Sequence, residues 1–165
     1  LAELSLHEGR LDEAHALIDE ALDLARQTDI GFHLLDRIYG TRIALHGHDP
    51  EKALHMLADA SASVRGPLET CPGCRITFAV PAAIAAARAG DVAQAHRHEE
   101  QCAYLADVVM RLPAWHAAHA EVKGHISAAE QRPAAETAAH FAAAAAGFAR
   151  AGQPLDAARC AGWEG

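Results

Sequence analysis

Two cysteines two residues apart sit near the start of TCPGCRITFAV, residues 70–80, and Cys-x-x-Cys supports several chemistries. Cys71 and Cys74 make half of a tetrahedral zinc clamp, which needs four nitrogen or sulfur ligands. Cys102 and either His98 or His116 are the candidates to complete it. In an antiparallel hairpin turning near Gly90, Cys74 lies opposite about residue 106. Cys102 is then within reach, whereas His98 is about a turn further away. A reversible Cys71–Cys74 disulfide is the second chemistry, and a helix start that merely carries thiols is the third. Haem attachment is excluded, because Cys-x-x-Cys-His is required and position 75 is Arg. A thioredoxin-like pair is disfavoured, since that motif needs a βαβ setting and this context reads as helical.

Other titratable residues carry weaker signals. His46, His48 and His55 cluster and could take up a stray metal, although such residues are usually solvated. Glu99–Glu100 and Asp19–Glu20 read as solvated faces, with Glu99 set apart because it falls at a core position. Trp115 reads as core. There is no His-Glu-x-x-His, no paired Glu-x-x-His, no nucleophile elbow and no glycine-rich phosphate loop, so an enzyme is not expected. Zinc is the single cofactor candidate.

These residues must be positioned by helices. The chain has 165 residues, 51% of them apolar, only 5% aromatic, and much of the apolar share is alanine. Alanine is the best helix former and lets backbones approach closely. Residues 8–25, 47–62 and 89–106 each run through a turn residue and an alanine into a helical stripe. In the first, Ala14, Leu17, Ile18, Ala21, Leu22 and Ala25 share one face; in the second, Leu54, Leu57, Ala58 and Ser61 do. Gly9, Gly47 and Gly90 precede the three helices, where a left-handed residue is needed. Asp49 and Pro50 supply an N-cap and an N1 proline. Before these helices lie further apolar segments: 31–46 with Phe32, and 75–89. Residues 112–129 follow, then 133–151 with Phe141 and Phe148.

The period predicts an all-α fold, an α-solenoid of antiparallel hairpins of the tetratricopeptide type, in about four repeats of roughly 40 residues against a usual period of about 34. The hairpins are expected at about 1–28, 31–65, 72–109 and 112–151, with a further helix starting over 153–163. Aligning the second helices puts His98 and Glu99 where the first repeat has Leu17 and Ile18, directed at the helix that begins at Cys71.

Residues 71–98, CPGCRITFAVPAAIAAARAGDVAQAHRH, and the closing FARAGQPLDAARC resemble the C-terminal helical repeats of large actinobacterial transcriptional regulators. In those proteins a signalling ATPase module precedes the repeats, and a LuxR-type or similar DNA-binding domain sits at one end; some relatives carry an adenylate-cyclase domain instead. The resemblance implies a cytoplasmic signal-input arm that binds a protein partner, a neighbouring domain or an effector. The ATPase motifs themselves are absent from these residues. Arg37, Arg42, Arg75, His119 and Lys123 are the expected groove residues. A net charge of −8 argues against direct nucleic-acid binding, and no stretch is long enough for a membrane span. The opening lacks both Met and the basic and apolar regions of a signal peptide, and reads as part of a longer protein. Two alternatives stand beside the scaffold: a zinc or thiol-redox sensor built on the cysteines, and an oligomerisation arm pairing through its terminal helices.

Overall fold

The computed structural model describes residues 1–28, 34–63 and 71–163. Phe32 and Thr70 lie outside these. The described residues are all-α, with no strand. The helices are α1 (Ala2–His7), α2 (Leu11–Gln27), α3 (Leu35–Leu45), α4 (Pro50–Ala62), α5 (Pro72–Arg88), α6 (Val92–Ala103), α7 (Pro113–Ala129), α8 (Ala134–Arg150) and α9 (Pro154–Ala161), with a π-helical segment, Tyr104–Met110, continuing α6. None is long and apolar enough to cross a membrane.

Neighbouring helices pair as α1 with α2, α3 with α4, α5 with α6 and α7 with α8. The first helix of each pair also packs on the first helix of the next, α1 on α3, α3 on α5 and α5 on α7. Second helices meet the following pair through its first helix, α2 on α3, α4 on α5, α6 on α7 and α8 on α9.

One turn geometry recurs. An amide just beyond the helix returns to a carbonyl five residues back at Arg10–Ser5, Asp91–Ala86, Arg132–Ser127 and Gln153–Phe148, all between 2.8 and 3.0 Å. This closure needs a left-handed residue immediately before the donor. Gly9, Gly90 and Gly152 supply it without steric cost, and Gln131 adopts it at φ 56°. The expectation of a left-handed Gly47 is corrected. After α3 the chain leaves through tighter bonds, His46 N–H to Ile43 at 3.1 Å and Gly47 N–H to Ala44 at 2.9 Å. The Gly47 carbonyl instead accepts from the Arg88 guanidinium of α5.

The stripe of α2 lies inward as its spacing predicts, with Ala14, Ile18, Leu22 and Ala25 buried. In α4 the buried face is Ala53, Leu57 and Ala60, so Ala58 points outward, one position off the expected stripe. Asp49 accepts from the Lys52 amide at 3.2 Å and caps α4. Trp115 is half-buried and packs against both hydrophobic clusters.

The sharpest packing feature joins α3 to α5. Pro81 lies inside α5 and has no N–H to give the carbonyl of Thr77, four residues earlier. Gly40 of α3 faces that carbonyl, so closely that a Cβ there would stand 2.1 Å from the Thr77 oxygen. One helix omits a hydrogen bond where the other omits a side chain, and the two backbones meet in the gap.

Candidate functional site

The CPGC turn is the N-terminus of α5. Cys71 is its N-cap, with extended backbone at φ −67° and ψ 150°. Its Sγ accepts from the Cys74 amide at 3.2 Å and stands 3.0 Å from Cys74 Sγ. Cys71 is exposed and Cys74 half-buried. The hydrogen bond shared with the Cys74 thiol, then the Cys74 amide, pull Cys71 below the usual thiol range, whereas burial and the bond with Cys71 push Cys74 up to about 11. The two thiols are therefore unequal.

Beside this turn, α3, α4, α5 and α6 border an open cleft of about 420 Å³ lined by Asp36, Ser61, Ser63, Arg75, Phe78, His98 and Gln101. Asp36 is 2% exposed, and Arg75, which follows Cys74 directly, brings its Nε to 3.7 Å from the carboxylate. Ser63 shares a 2.6 Å hydrogen bond with the buried Tyr39 hydroxyl, which also accepts from Arg26 of α2 at 3.2 Å. His98 stands edge-on to Phe78, ring centroids 5.8 Å apart, so it does face α5 as its alignment predicts.

Glu99 faces elsewhere. Its Oε1 lies 2.5 Å from His119 Nε2 on α7, while the other ring nitrogen of His119 is 3.7 Å from Asp107 in the π-helical segment. Asp107 also bonds His116 at 2.8 Å. His119 is 5% exposed, which corrects its place among the groove residues: it is an internal strut between two hairpins. Glu99, read as one of the residues aimed at α5, belongs to that strut.

The proposed zinc ligands are not gathered. Among the described residues there is no group of three or more His, Cys, Asp or Glu side chains that could hold a metal. Cys102 is fully buried, and burial, then the charges of Glu99 and Asp107, push its thiol up to about 12. His116 is engaged by Asp107 and His98 packs on Phe78. His46 stacks on His15 of α2, centroids 4.6 Å apart; its burial, then the neighbouring His15, lower its pKa. Of the remaining groove residues, Arg37 and Lys123 are exposed, and Arg42 reaches Asp19 at 3.2 Å.

Two buried acids were missed in the sequence. Asp36 shares the apolar face of α3 with Tyr39 at i+3 and Ile43 at i+7, a spacing that could have revealed it. Glu121, 2% exposed on α7, takes a bidentate pair of bonds from Arg159 of α9 at 3.0 and 2.8 Å. That partner lies in a different helix, and nothing local announces it. No family model, curated protein or solved structure matches the chain.

Proposed function

We propose that the chain is a protein-interaction and signal-input scaffold, a tetratricopeptide-like stack of hairpins that takes a partner segment, a neighbouring domain or an effector at its polar cleft. The observation that carries this reading is the order of packing: first helix on first helix along α1, α3, α5 and α7, with each second helix closing on the next pair. Such nearest-neighbour stacking leaves an extended surface whose side chains are not consumed by the core. The recurrent turn at Gly9, Gly90, Gln131 and Gly152 supports the same reading. The transcriptional setting rests on the likeness of residues 71–98 and of the closing FARAGQPLDAARC to the repeats of LuxR-type regulators.

A photoreactive residue placed at Arg37 or Lys123, and as a control at Arg97 on the outer face of α6, tests the reading in the parent protein. The scaffold is supported when one polypeptide or one neighbouring domain is captured from the first-helix positions and released by Arg75→Glu. Equal capture from both faces, or insensitivity to Arg75→Glu, would sink it.

A second reading, an oligomerisation arm, draws on large apolar side chains exposed on the terminal helices, Leu1 and Leu4 in or beside α1 and Leu155 in α9, alongside others such as Leu24 and Val108 between them. Sedimentation velocity over a wide concentration range distinguishes it. A monomer throughout removes this reading and leaves the scaffold untouched.

A further inference from the structure

We infer that Cys71 and Cys74 form a reversible dithiol–disulfide pair, in which exposed Cys71 attacks a low-molecular-weight or protein disulfide and Cys74 resolves the mixed disulfide. The geometry of the N-cap carries this. Residues three apart within a regular helix hold their Cβ atoms about 5–6 Å apart, too far for a disulfide, whose Cβ atoms are about 3.5–4.5 Å apart. Cys71 lies outside the helix, and its extended backbone turns the side chain back over the first turn until the two sulfurs are 3.0 Å apart. Pro72 fixes the first helical φ without losing a bond, because an N1 amide has no partner inside the helix. Gly73, between the two cysteines, leaves its place in the first turn without a side chain, and a Cβ there would make only ordinary contacts with Met110 Cε and Cys71 Sγ, at 3.9 and 4.0 Å.

The order of attack follows from accessibility. Cys71 is exposed and receives the Cys74 amide, a donor that favours its thiolate, as helix N-termini do in general. Cys74 is half-buried behind it. The Cys71 thiolate attacks one sulfur of a disulfide RSSR; the S–S bond breaks, and one RS⁻ leaves and takes a proton from water. Cys74 then loses its proton to solvent and attacks Cys71 Sγ, displacing the second RS⁻, which is protonated in turn. The sum is two cysteine thiols and RSSR giving the Cys71–Cys74 disulfide and two RSH, with both electrons accounted for by the reduced disulfide. Cys102 and Cys160 take no part, since both are buried and burial pushes each up to about 12.

Glutathione disulfide, with a chelator present to strip any metal, is the probe. The wild-type chain is expected to form the Cys71–Cys74 link, read by peptide mass, and to return to dithiol in reduced glutathione. Cys74→Ser should stop with one glutathione on Cys71. Cys71→Ser, which keeps an N-cap hydroxyl, should take up glutathione at Cys74 at least about tenfold more slowly. Two results overturn the inference: a folded wild-type chain that stays reduced at both positions, or one that accumulates glutathione on Cys71 without resolving it. Equal uptake by the two serine variants would overturn the assigned order.

Discussion

Gly40→Ala inverts the usual effect of its substitution, and the inversion follows from one contact. Replacing an interior helix glycine by alanine normally stabilises by about 1 kcal/mol, through backbone entropy. Here the new Cβ would meet the Thr77 carbonyl oxygen at 2.1 Å, the carbonyl carbon at 2.9 Å and Phe78 Cα at 3.0 Å. All three are backbone atoms, so no rotamer change relieves them. Helix α3 would have to back away from α5 by roughly 1 Å or more through a close-packed interior that yields poorly. Overpacking costs about 1–3 kcal/mol, and a backbone-on-backbone clash belongs at the top of that range. The net expectation is a loss of about 2 kcal/mol, which a slope of about 2 kcal/mol per molar urea turns into a midpoint lowered by about 1 M. Circular dichroism at 222 nm reads it. Gly73→Ala is the matched control, since its Cβ makes only ordinary contacts, and it should unfold at the same urea concentration or higher. Gly40→Ala unfolding no earlier than wild type would refute the close α3–α5 crossing.

Three further expectations concern buried charge and metal. Arg159→Met strands the Glu121 carboxylate, 3% exposed, and should cost about 2 kcal/mol or more even though the Arg159 side chain is 43% exposed. Adding Glu121→Gln should restore part of the lost melting temperature, and no recovery would mean the pair is not coupled. His125 is buried against Phe141 and Trp163, and burial, then the charges of Arg88 and Arg159, lowers it to about 4. The unfolded chain therefore binds more protons below the ordinary histidine value, so this stability is present above pH 6.5 and is lost between about 6.5 and 4. The amount is about 3 kcal/mol. The urea midpoint of His125→Gln should fall less from pH 7 to pH 5 than that of wild type, and parallel slopes would contradict the assignment. Protein purified without chelator should carry well under one zinc per chain by mass spectrometry. A stoichiometric zinc with Cys71, Cys74 and Cys102 protected would mean the ligands gather in solution.

The helices were legible because their stripes repeat at helical spacing: Ala14 to Ala25 on α2 lies inward where the pattern places it. The α4 stripe slipped, with Ala58 exposed, because alanines on both sides leave the pattern little contrast between faces. The cysteine turn was legible as a helix start with a Cys71–Cys74 disulfide among its open chemistries, but the choice among them was not, since the extended N-cap that brings the sulfurs to 3.0 Å is a backbone choice. Nothing in the sequence joins Asp107 to His119. Their contact depends on the π-helical segment, where Arg111 N–H reaches back to Ala106 at 3.0 Å, adding a residue to the turn and changing which side chains share a face. Pro81 was readable as a missing donor, but its match to Gly40 lies 41 residues away and belongs to tertiary structure.

Helix α5 is where these features converge. It packs against α3, α4, α6, α7 and the π-helical segment, carries the thiol pair at its first turn, and places Arg75 and Phe78 in the cleft. A disulfide at the N-cap would fix the turn from which Arg75 reaches Asp36. Linkage then sets a condition on any coupling between the two sites. A partner that binds the oxidised and reduced forms equally shifts nothing, whereas one that prefers the oxidised form tenfold must raise the tendency of the pair to oxidise by the same factor. For a two-electron couple that factor is about 30 mV, independent of how the preference arises. Titrating the Cys71–Cys74 couple in glutathione buffers, with and without whatever partner Arg37 or Lys123 captures, therefore measures the coupling directly. An unmoved potential would separate the thiol chemistry from the cleft, and a moved one would make α5 the element that both sites bias.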